Sequence, residues 1–205
     1  MPLVESLEAL RDQFLESGVT RVLLCGMGGS SLAPEVMARV SGVELDILDS
    51  THPDHVRALI DRDLSDTLTV VSSKSGTTVE TATARAAVSE VYREQGIDPV
   101  DRVIIVTDPG SPLHLEAEQA GHRVFLANPH VGGRYSALTA FGLVPAALAG
   151  VDCREVLNQA SAVWTACGED SADNPAIQLA AALSDPERDQ VVLGASSDCP
   201  GLGEW

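Results

Sequence analysis

Aromatic side chains and positive charges are scarce in this chain of 205 residues. Phe, Trp and Tyr make up only 3% of it, so aliphatic side chains must fill any core. Thirteen Lys and Arg residues stand against 30 Asp and Glu residues, which gives a formal net charge of −17. This charge disfavours nucleic acid and anionic membranes as partners, because both are negatively charged. A phosphorylated ligand would have to be bound by hydrogen-bond donors aimed at it locally.

Cysteine is also scarce, and long apolar runs are missing. The four cysteines include no C-x-x-C pair, which disfavours a disulfide framework or a zinc site. Cys25 follows an apolar run and is predicted to be a buried thiol. The longest mostly apolar stretch, Phe141 to Val151, is far shorter than the about 18 residues of a membrane span. With no secretory signal pattern at its start, the chain is predicted to be cytoplasmic and to hold no metal.

Short apolar runs alternate with segments of helical periodicity over the first part of the chain. The predicted strands are Val22–Cys25, Val43–Leu48, Leu68–Val71, Val103–Val106 and Val124–Leu126. The predicted helices are residues 3–17, Leu32–Val40, His55–Ile60, Val79–Gln95 and Leu113–Ala120. Strands separated by helices favour parallel pairing. We therefore predict an α/β fold with a doubly wound, five-stranded parallel sheet flanked by helices.

After Gly132 the pattern becomes helical, with no strand between the helices. This C-terminal helical extension is predicted to contain Tyr135–Ala149, Val156–Ala166 and Pro175–Leu183. One more strand is predicted at Gln190–Leu193, followed by a loop rich in Gly, Ser and Pro. We therefore divide the chain into a ligand-binding domain (1–150), a helical connecting segment (151–189) and the start of a second domain (190–205).

The first of three candidate ligand-binding loops is Gly26–Ser31, which follows the first predicted strand and reads G-M-G-G-S-S. In open parallel sheets, ligands bind beyond the carboxyl ends of the strands. The loop approaches the dinucleotide pattern G-x-G-x-x-G, and Asp49 lies about 20 residues further on. However, Ser31 replaces the third glycine, and the hydroxyls favour a simple phosphate or sugar. A plain glycine-rich turn remains the alternative.

The second loop, Ser72–Thr78, reads S-S-K-S-G-T-T and opens a helix that begins near Val79. Unpaired amides at a helix N-terminus carry the positive end of the helix dipole and bind anions. The hydroxyls of this loop add donors, and Gly76 allows tight curvature. It is not a P-loop, because the first glycine of that pattern is missing. We predict a phosphate cradle; the alternatives are that the hydroxyls merely cap the helix and that Lys74 only neutralises Glu80.

The third loop, Gly132–Ser136, reads G-G-R-Y-S and follows the fifth predicted strand. Two adjacent glycines let the backbone approach a ligand closely, while Arg134 presents a planar and permanently charged group to it. The alternative is that Arg134 pairs with surface carboxylates, which are abundant in this chain.

Together, these loops resemble the glucose-6-phosphate isomerase (phosphoglucose isomerase) family, and in particular its N-terminal sugar-isomerase (SIS) domain, which is flavodoxin-like. The matching stretches are G-M-G-G-S-S-L-A-P, V-V-S-S-K-S-G-T-T-V-E-T and V-G-G-R-Y-S-A-L-T-A-F-G-L-V-P, in the family's order. The third stretch narrows the resemblance from SIS proteins in general to this family. The chain is most similar in style to the long bacterial forms, some of which are fused to a transaldolase.

The resemblance implies an interconversion of glucose 6-phosphate and fructose 6-phosphate through an enediolate, without a cofactor. It implies that Arg134 is catalytic and stabilises the enediolate. The substrate-binding residues that it implies around the phosphate are Gly28, Gly29, Ser30, Ser73, Lys74, Ser75, Thr77, Thr78 and Gly133. It further implies a phosphorylated hexose as the partner and a homodimer as the assembly.

The family's glutamate base lies in a second SIS domain, which this chain would only begin at residues 190–205. Glu80 is not a substitute, because an acid at a helix start is explained by the helix dipole. We therefore expect the chain to be truncated, to bind sugar phosphate and not to turn it over alone. Two alternatives stay open at this point: a stand-alone SIS module that senses a phosphosugar, and a nucleotide-binding oxidoreductase.

Overall fold

A single parallel sheet organises the chain, whose computed structural model describes residues 2–184, 190–192 and 194–203. The strand order is β2-β1-β3-β4-β5, and every neighbouring pair is parallel. The strands are β1 (Arg21–Gly26), β2 (Asp46–Leu48), β3 (Thr67–Ser72), β4 (Val103–Thr107) and β5 (Arg123–Leu126). The predicted five-stranded α/β fold is confirmed.

Helices follow the strands along the chain and cover the sheet. In the described residues they are α1 (Pro2–Glu16), α2 (Leu32–Ser41), α3 (Pro53–Ile60), α4 (Val79–Glu94), α5 (Pro99–Arg102), α6 (Pro112–Ala120), α7 (Ala140–Ala149), α8 (Cys153–Cys167) and α9 (Pro175–Leu183). Two 3-10 turns, Gly28–Ser30 and Gly133–Tyr135, lie in the first and third loops. None of the helices in these ranges is long and apolar enough to cross a membrane.

The central strands β1, β3 and β4 are buried on both faces of the sheet, to which successive side chains point in turn, whereas β5 at the edge is partly exposed. On one face, Val22 and Leu24 of β1 pack in a core with α1, α2 and α7. On the other face, Leu23 and Cys25 pack with α3, α4 and α6. Burial on both sides explains why the strands read as continuous apolar runs. Cys25 is fully buried, as its place in an apolar strand predicts.

Several element boundaries differ from the sequence-based expectation, and helix α5 was not expected; the starts of α7 and β2 show the physical reason. Helix α7 begins at Ala140 instead of Tyr135, because residues 133–135 form a 3-10 turn and the Thr139 hydroxyl accepts a hydrogen bond from the Phe141 amide (3.3 Å). Strand β2 begins at Asp46 instead of Val43, because the Val43 amide still donates to the Ala38 carbonyl of α2 (2.9 Å). In both places a local hydrogen bond overrides the apolar periodicity.

The predicted strand at 190–193 is wrong where the structure describes it, since Gln190, Val191 and Val192 belong to no strand. A strand needs a hydrogen-bonded neighbour, and the sheet ends at β2 and β5. Leu193 lies outside the described residues, as do 185–189 and 204–205. Helices α8 and α9 follow the expected helical extension. The proposed division at 150 and 190 stays a prediction.

Candidate functional site

The first and second loops leave the sheet side by side. Strand β1 lies between β2 and β3, so the chain reverses its direction of travel across the sheet at β1. Crevices at such switch points are where open α/β sheets bind ligands. Gly26 and Ser72, the last residues of β1 and β3, are register partners in the sheet. The two candidate anion-binding loops therefore begin at neighbouring positions of the carboxyl edge.

The second loop is folded by its own hydroxyl groups. The Ser73 hydroxyl accepts from the Gly76 amide (3.2 Å) and lies 3.4 Å from the Thr78 hydroxyl. The Ser75 hydroxyl accepts from both the amide (3.2 Å) and the hydroxyl (3.0 Å) of Thr77. Ser73 is buried, whereas Ser75 and Thr77 are exposed at the mouth of the loop. The loop is thus a turn held by internal hydrogen bonds, with the hydroxyls of Ser75 and Thr77 exposed to solvent.

Gly76 is required by the curvature of this turn. Its φ angle is +69°, in the left-handed region that glycine tolerates and other residues rarely adopt. A Cβ atom at this position would also lie 2.8 Å from the Cβ of Leu113 in α6. The second loop is therefore pressed against α6, and its shape is fixed by packing as well as by hydrogen bonds.

The two helices that follow these loops begin without side-chain caps. Ser31 precedes α2 and Thr78 precedes α4, and neither side chain accepts a hydrogen bond from its helix. Helices α3 and α5 to α9 do have such caps, provided by His52, Asp98, Ser111, Thr139, Asp152 and Asn174. The capping alternative for the second loop is thus wrong for Thr78. The first amides of α4, and those of Leu32 and Ala33 in α2, where Pro34 has none, therefore have no side-chain acceptor.

The chain after β5 returns across the carboxyl edge of the sheet as residues 127–139, which we call the crossing segment. Ala127 donates to the Thr107 carbonyl at the end of β4 (3.0 Å). The carbonyl of Pro129 accepts from the Lys74 ammonium of the second loop (3.3 Å). The segment then reaches the first loop, where α7 packs in the same core as α2. It thereby carries the third loop from the β5 edge of the sheet to β1.

The first and third loops touch through their backbones. A Cβ atom placed on Gly29 would lie 2.7 Å from both the carbonyl carbon and the oxygen of Gly133. The Ser136 hydroxyl donates to the Gly133 carbonyl (2.6 Å) and lies 3.5 Å from that of Gly29. Only glycine permits so close an approach at position 29. Gly28 and Ser30 lie on either side of this contact, so the first and third loops meet directly.

Arg134 lies in the third loop, is exposed, and has no ion-pair partner among the residues that the structure describes. The alternative of a surface ion pair is therefore wrong within this part of the chain. Most other cations do pair with carboxylates, namely Arg21, Arg39, Arg57, Arg62, Lys74, Arg85, Arg93 and Arg154. In so acidic a chain, a guanidinium left unpaired beside a candidate anion site is available to a ligand.

Unlike Arg134, the candidate site residue Lys74 has a carboxylate partner. Its ammonium lies 2.5 Å from a carboxylate oxygen of Asp108, so the suggested partner Glu80 is wrong. Sequence reasoning missed Asp108 altogether. The signal was present, because Asp108 directly follows β4 and therefore lies at the same edge of the sheet as the loops. Its partner, however, is 34 positions away in the sequence, and no local pattern pairs the two.

A doubly wound parallel sheet with hydroxyl-rich loops and uncapped helices at its switch point defines an α/β domain of the SIS type. The family model described as phosphoglucose isomerase matches residues 13–186. The chain belongs to the phosphoglucose isomerase family, and the resemblance seen in the three loops is confirmed.

Several curated relatives are named as glucose-6-phosphate isomerases, which is another name for phosphoglucose isomerases. The chain is 36% identical over 189 residues to the glucose-6-phosphate isomerase of Cyanothece sp., covering 85% of this chain and 36% of that protein. It is 36% identical over 163 residues to a probable glucose-6-phosphate isomerase of Haloarcula marismortui, covering 77% of this chain and 35% of that protein. The chain thus spans about a third of the length of the curated relatives that it matches.

Two solved structures share this fold, and one of them is named as a glucose-6-phosphate isomerase. A hypothetical protein from Thermus thermophilus superposes with a TM-score of 0.81 and 30% identity, over 88% of this chain and 45% of that one. A glucose-6-phosphate isomerase from Chlamydia trachomatis superposes with a TM-score of 0.70 and 29% identity, over 80% of this chain and 33% of that one.

Proposed function

We propose that this chain is the phosphate-binding half of a glucose-6-phosphate isomerase. The phosphate of the hexose is held at the β1/β3 switch point by hydroxyls and main-chain amides. The residues that line it are Gly28, Gly29 and Ser30 of the first loop, Ser73, Ser75, Thr77 and Thr78 of the second, and Gly133 of the third, with Lys74 fixing the second loop. No cofactor is needed for this binding.

The lack of side-chain caps on α2 and α4 is the observation that carries this proposal. Both helices begin beside neighbouring strand ends, so their unpaired amides and dipoles act on one small region. Helices α3 and α5 to α9 each begin with a side chain that accepts a hydrogen bond from a first-turn amide. An anion at the switch point would provide the missing acceptors.

Local donors also explain how a chain with a net charge of −17 can bind an anion. Repulsion between exposed charges is screened beyond the Debye length, about 8 Å at physiological ionic strength. Hydrogen bonds to a charged phosphate act within about 3 Å and are worth about 1.5–3 kcal/mol each. A few aimed donors therefore outweigh the distant carboxylates.

We propose that Arg134 stabilises the enediolate formed during isomerisation. Negative charge develops on the sugar oxygens in this step, and a fixed cation stabilises it without reorganising. The guanidinium is unpaired within the described residues, and the Gly29–Gly133 contact fixes its loop beside the phosphate site. Loss of a comparable oxyanion donor costs about 3–4 kcal/mol in the transition state.

The proton transfer between the two sugar carbons needs a base that we do not assign to this chain. Glu80 is exposed in the first turn of α4, where the helix dipole accounts for a carboxylate. We propose that the base belongs to the part of the isomerase that the relatives have beyond the matched third. The chain alone is then expected to bind sugar phosphate without converting it.

Thermal unfolding with three ligands tests the binding site. We expect 6-phosphogluconate and inorganic phosphate to raise the melting temperature by mass action, and NAD to leave it unchanged. The double variant Ser75→Ala/Thr77→Ala should weaken 6-phosphogluconate binding about tenfold or more, because hydrogen bonds to a charged group are lost. Thr83→Ala is the matched control, since its hydroxyl bonds to the Val79 carbonyl within α4.

Two outcomes would contradict the proposal. Stabilisation by NAD and not by the phosphorylated ligands would indicate a dinucleotide site. Full turnover of fructose 6-phosphate by the 205-residue chain in a coupled assay would show that the base lies within it.

A further inference from the structure

The ion pair between Lys74 and Asp108 lies at the junction of three segments of the carboxyl edge. Lys74 belongs to the second loop, and Asp108 directly follows β4. The same ammonium that lies 2.5 Å from Asp108 also donates to the Pro129 carbonyl of the crossing segment (3.3 Å). One cationic group therefore connects the phosphate cradle to the segment that carries Gly133 and Arg134.

The pair is more enclosed than most ion pairs of this chain. The side chains of Lys74 and Asp108 are 29% and 16% exposed, against 71% and 81% for Arg57 and Asp54 on α3. The second carboxylate oxygen of Asp108 is buried and has no hydrogen-bond partner within the described residues. Asp108 thus depends on Lys74 for its charge compensation, and the geometry of the ammonium is correspondingly restricted.

We propose that Asp108 is a positioning residue, which holds Lys74 as a strut between the second loop and the crossing segment. The ammonium is neutralised by Asp108, so its contribution is the placement of residues 129–134 and not a direct bond to phosphate. The consequence for catalysis rests on the proposed function: the strut sets the distance between the phosphate cradle and Arg134.

Hydrogen exchange tests the strut without any ligand. Asp108→Asn and Lys74→Met should each speed amide exchange about tenfold at Val131, Tyr135 and Ser136, whose amides bond to carbonyls within the crossing segment. Asp108→Glu, which keeps the carboxylate, should restore much of the protection.

A second ion pair provides the control for this experiment. Glu116→Gln breaks the pair between Arg85 of α4 and Glu116 of α6, which is of similar length (2.6 Å) and does not touch the crossing segment. It should leave exchange at Val131, Tyr135 and Ser136 unchanged. Wild-type exchange rates in both Asp108→Asn and Lys74→Met would overturn the proposal.

Binding by calorimetry then separates placement from direct contact. 6-Phosphogluconate carries a phosphate at one end and a carboxylate at the other, whereas inorganic phosphate occupies the cradle alone. Asp108→Asn should weaken 6-phosphogluconate binding about tenfold and phosphate binding no more than about threefold, because mainly the Arg134 end is displaced. Glu116→Gln should alter neither.

The remaining outcomes are distinguishable. Tighter binding of both ligands by Asp108→Asn would show that the freed ammonium contacts phosphate directly, which contradicts a strut. An equal loss for both ligands would indicate collapse of the cradle and also contradicts it. If the wild-type chain binds neither ligand, the proposed function fails in this chain, while the exchange experiment still decides the role of Asp108.

Discussion

At the scale of single residues, Gly29 and Gly133 show how a backbone contact builds a site. A methyl group at position 29 would meet the Gly133 carbonyl at 2.7 Å, whereas a Cβ atom on Gly133 itself has no neighbour within 4 Å. The same contact is therefore intolerant of a side chain on one partner and tolerant on the other. This asymmetry distinguishes the effect of packing from a general effect of losing glycine.

We predict that Gly29→Ala destabilises the fold by about 1–3 kcal/mol, because overpacking forces the first and third loops apart. Gly133→Ala should change the free energy of unfolding by less than about 0.5 kcal/mol, as for substitutions with free space around them. Urea unfolding measures both values. Equal destabilisation by the two variants would contradict the close approach.

Buried acidic groups make the fold sensitive to alkali. Burial raises the pKa of the Cys25 thiol from 9.0 to about 12. The unfolded chain therefore releases this proton at lower pH than the folded one. The contribution of the neutral Cys25 thiol to stability is complete below pH 9.0 and is lost as the pH rises through the folded pKa. The free energy of unfolding then falls by at most about 1.4 kcal/mol per pH unit.

We predict that the urea midpoint of Cys25→Ala falls less steeply between pH 9.0 and 12 than that of the wild type. Some alkaline loss should remain in this variant, since burial also raises the pKa of Tyr92 to about 12. Identical pH profiles for the variant and the wild type would contradict a buried neutral thiol.

At the scale of elements, the edge strand β2 is held by a branched ion pair. One carboxylate oxygen of Asp46 lies 2.6 Å from Arg21 of β1 and 2.7 Å from Arg62, which follows α3. The strand has only three residues, so its ladder to β1 is short. The two guanidinium groups therefore add substantially to its attachment.

We predict that Asp46→Ala destabilises the fold by about 1–2 kcal/mol and speeds amide exchange in β2, because two charged hydrogen bonds are lost. Asp54→Ala is the control, since its pair with Arg57 is long (3.7 Å) and largely exposed. Unfolding by urea and hydrogen exchange provide the two measurements. Equal effects of the two substitutions would show that the branched pair is no more than a surface contact.

Most elements could be predicted from the sequence because their burial follows a simple period. Strands such as β3 and β4 are buried throughout, and α6 is bounded by the N-cap Ser111 and the C-cap Gly121. Local rules failed where a hydrogen bond between non-periodic residues decides the boundary, as at Thr139 for α7. They also failed at 190–192, where the apolar Val191 and Val192 have no strand to pair with among the described residues.

At the scale of the whole molecule, the candidate site could be predicted only in part. The first two loops were expected to lie together because both follow strands that end at one edge of the sheet. The route of residues 127–139 could not be read from the sequence, since it depends on where α7 packs. The contacts of Gly29 with Gly133 and of Lys74 with Asp108 likewise join residues far apart in the sequence, so only the folded chain shows them.

The helical extension predicts how chains associate. Helix α9 contains no buried residue, and its apolar Leu179 is 60% exposed. Trp164 on α8 is 81% exposed. Exposed apolar surface of this kind favours self-association. The family resemblance leads to the same expectation, since it implies a homodimer. We predict that Leu179→Glu lowers the weight-average mass in sedimentation velocity. Leu115→Glu on α6, at a similar exposure of 52%, is the control, and a wild type that stays monomeric would contradict the prediction.

The crossing segment also fixes when the site can form during synthesis. Strands β1 and β3, with their loops, are synthesised before residues 127–139. A nascent chain stalled before Pro129 would hold the hydroxyl-rich turns but would lack the backbone wall against Gly29 and the guanidinium of Arg134. The candidate anion site can therefore be completed only late, when α7 packs over the first half of the sheet.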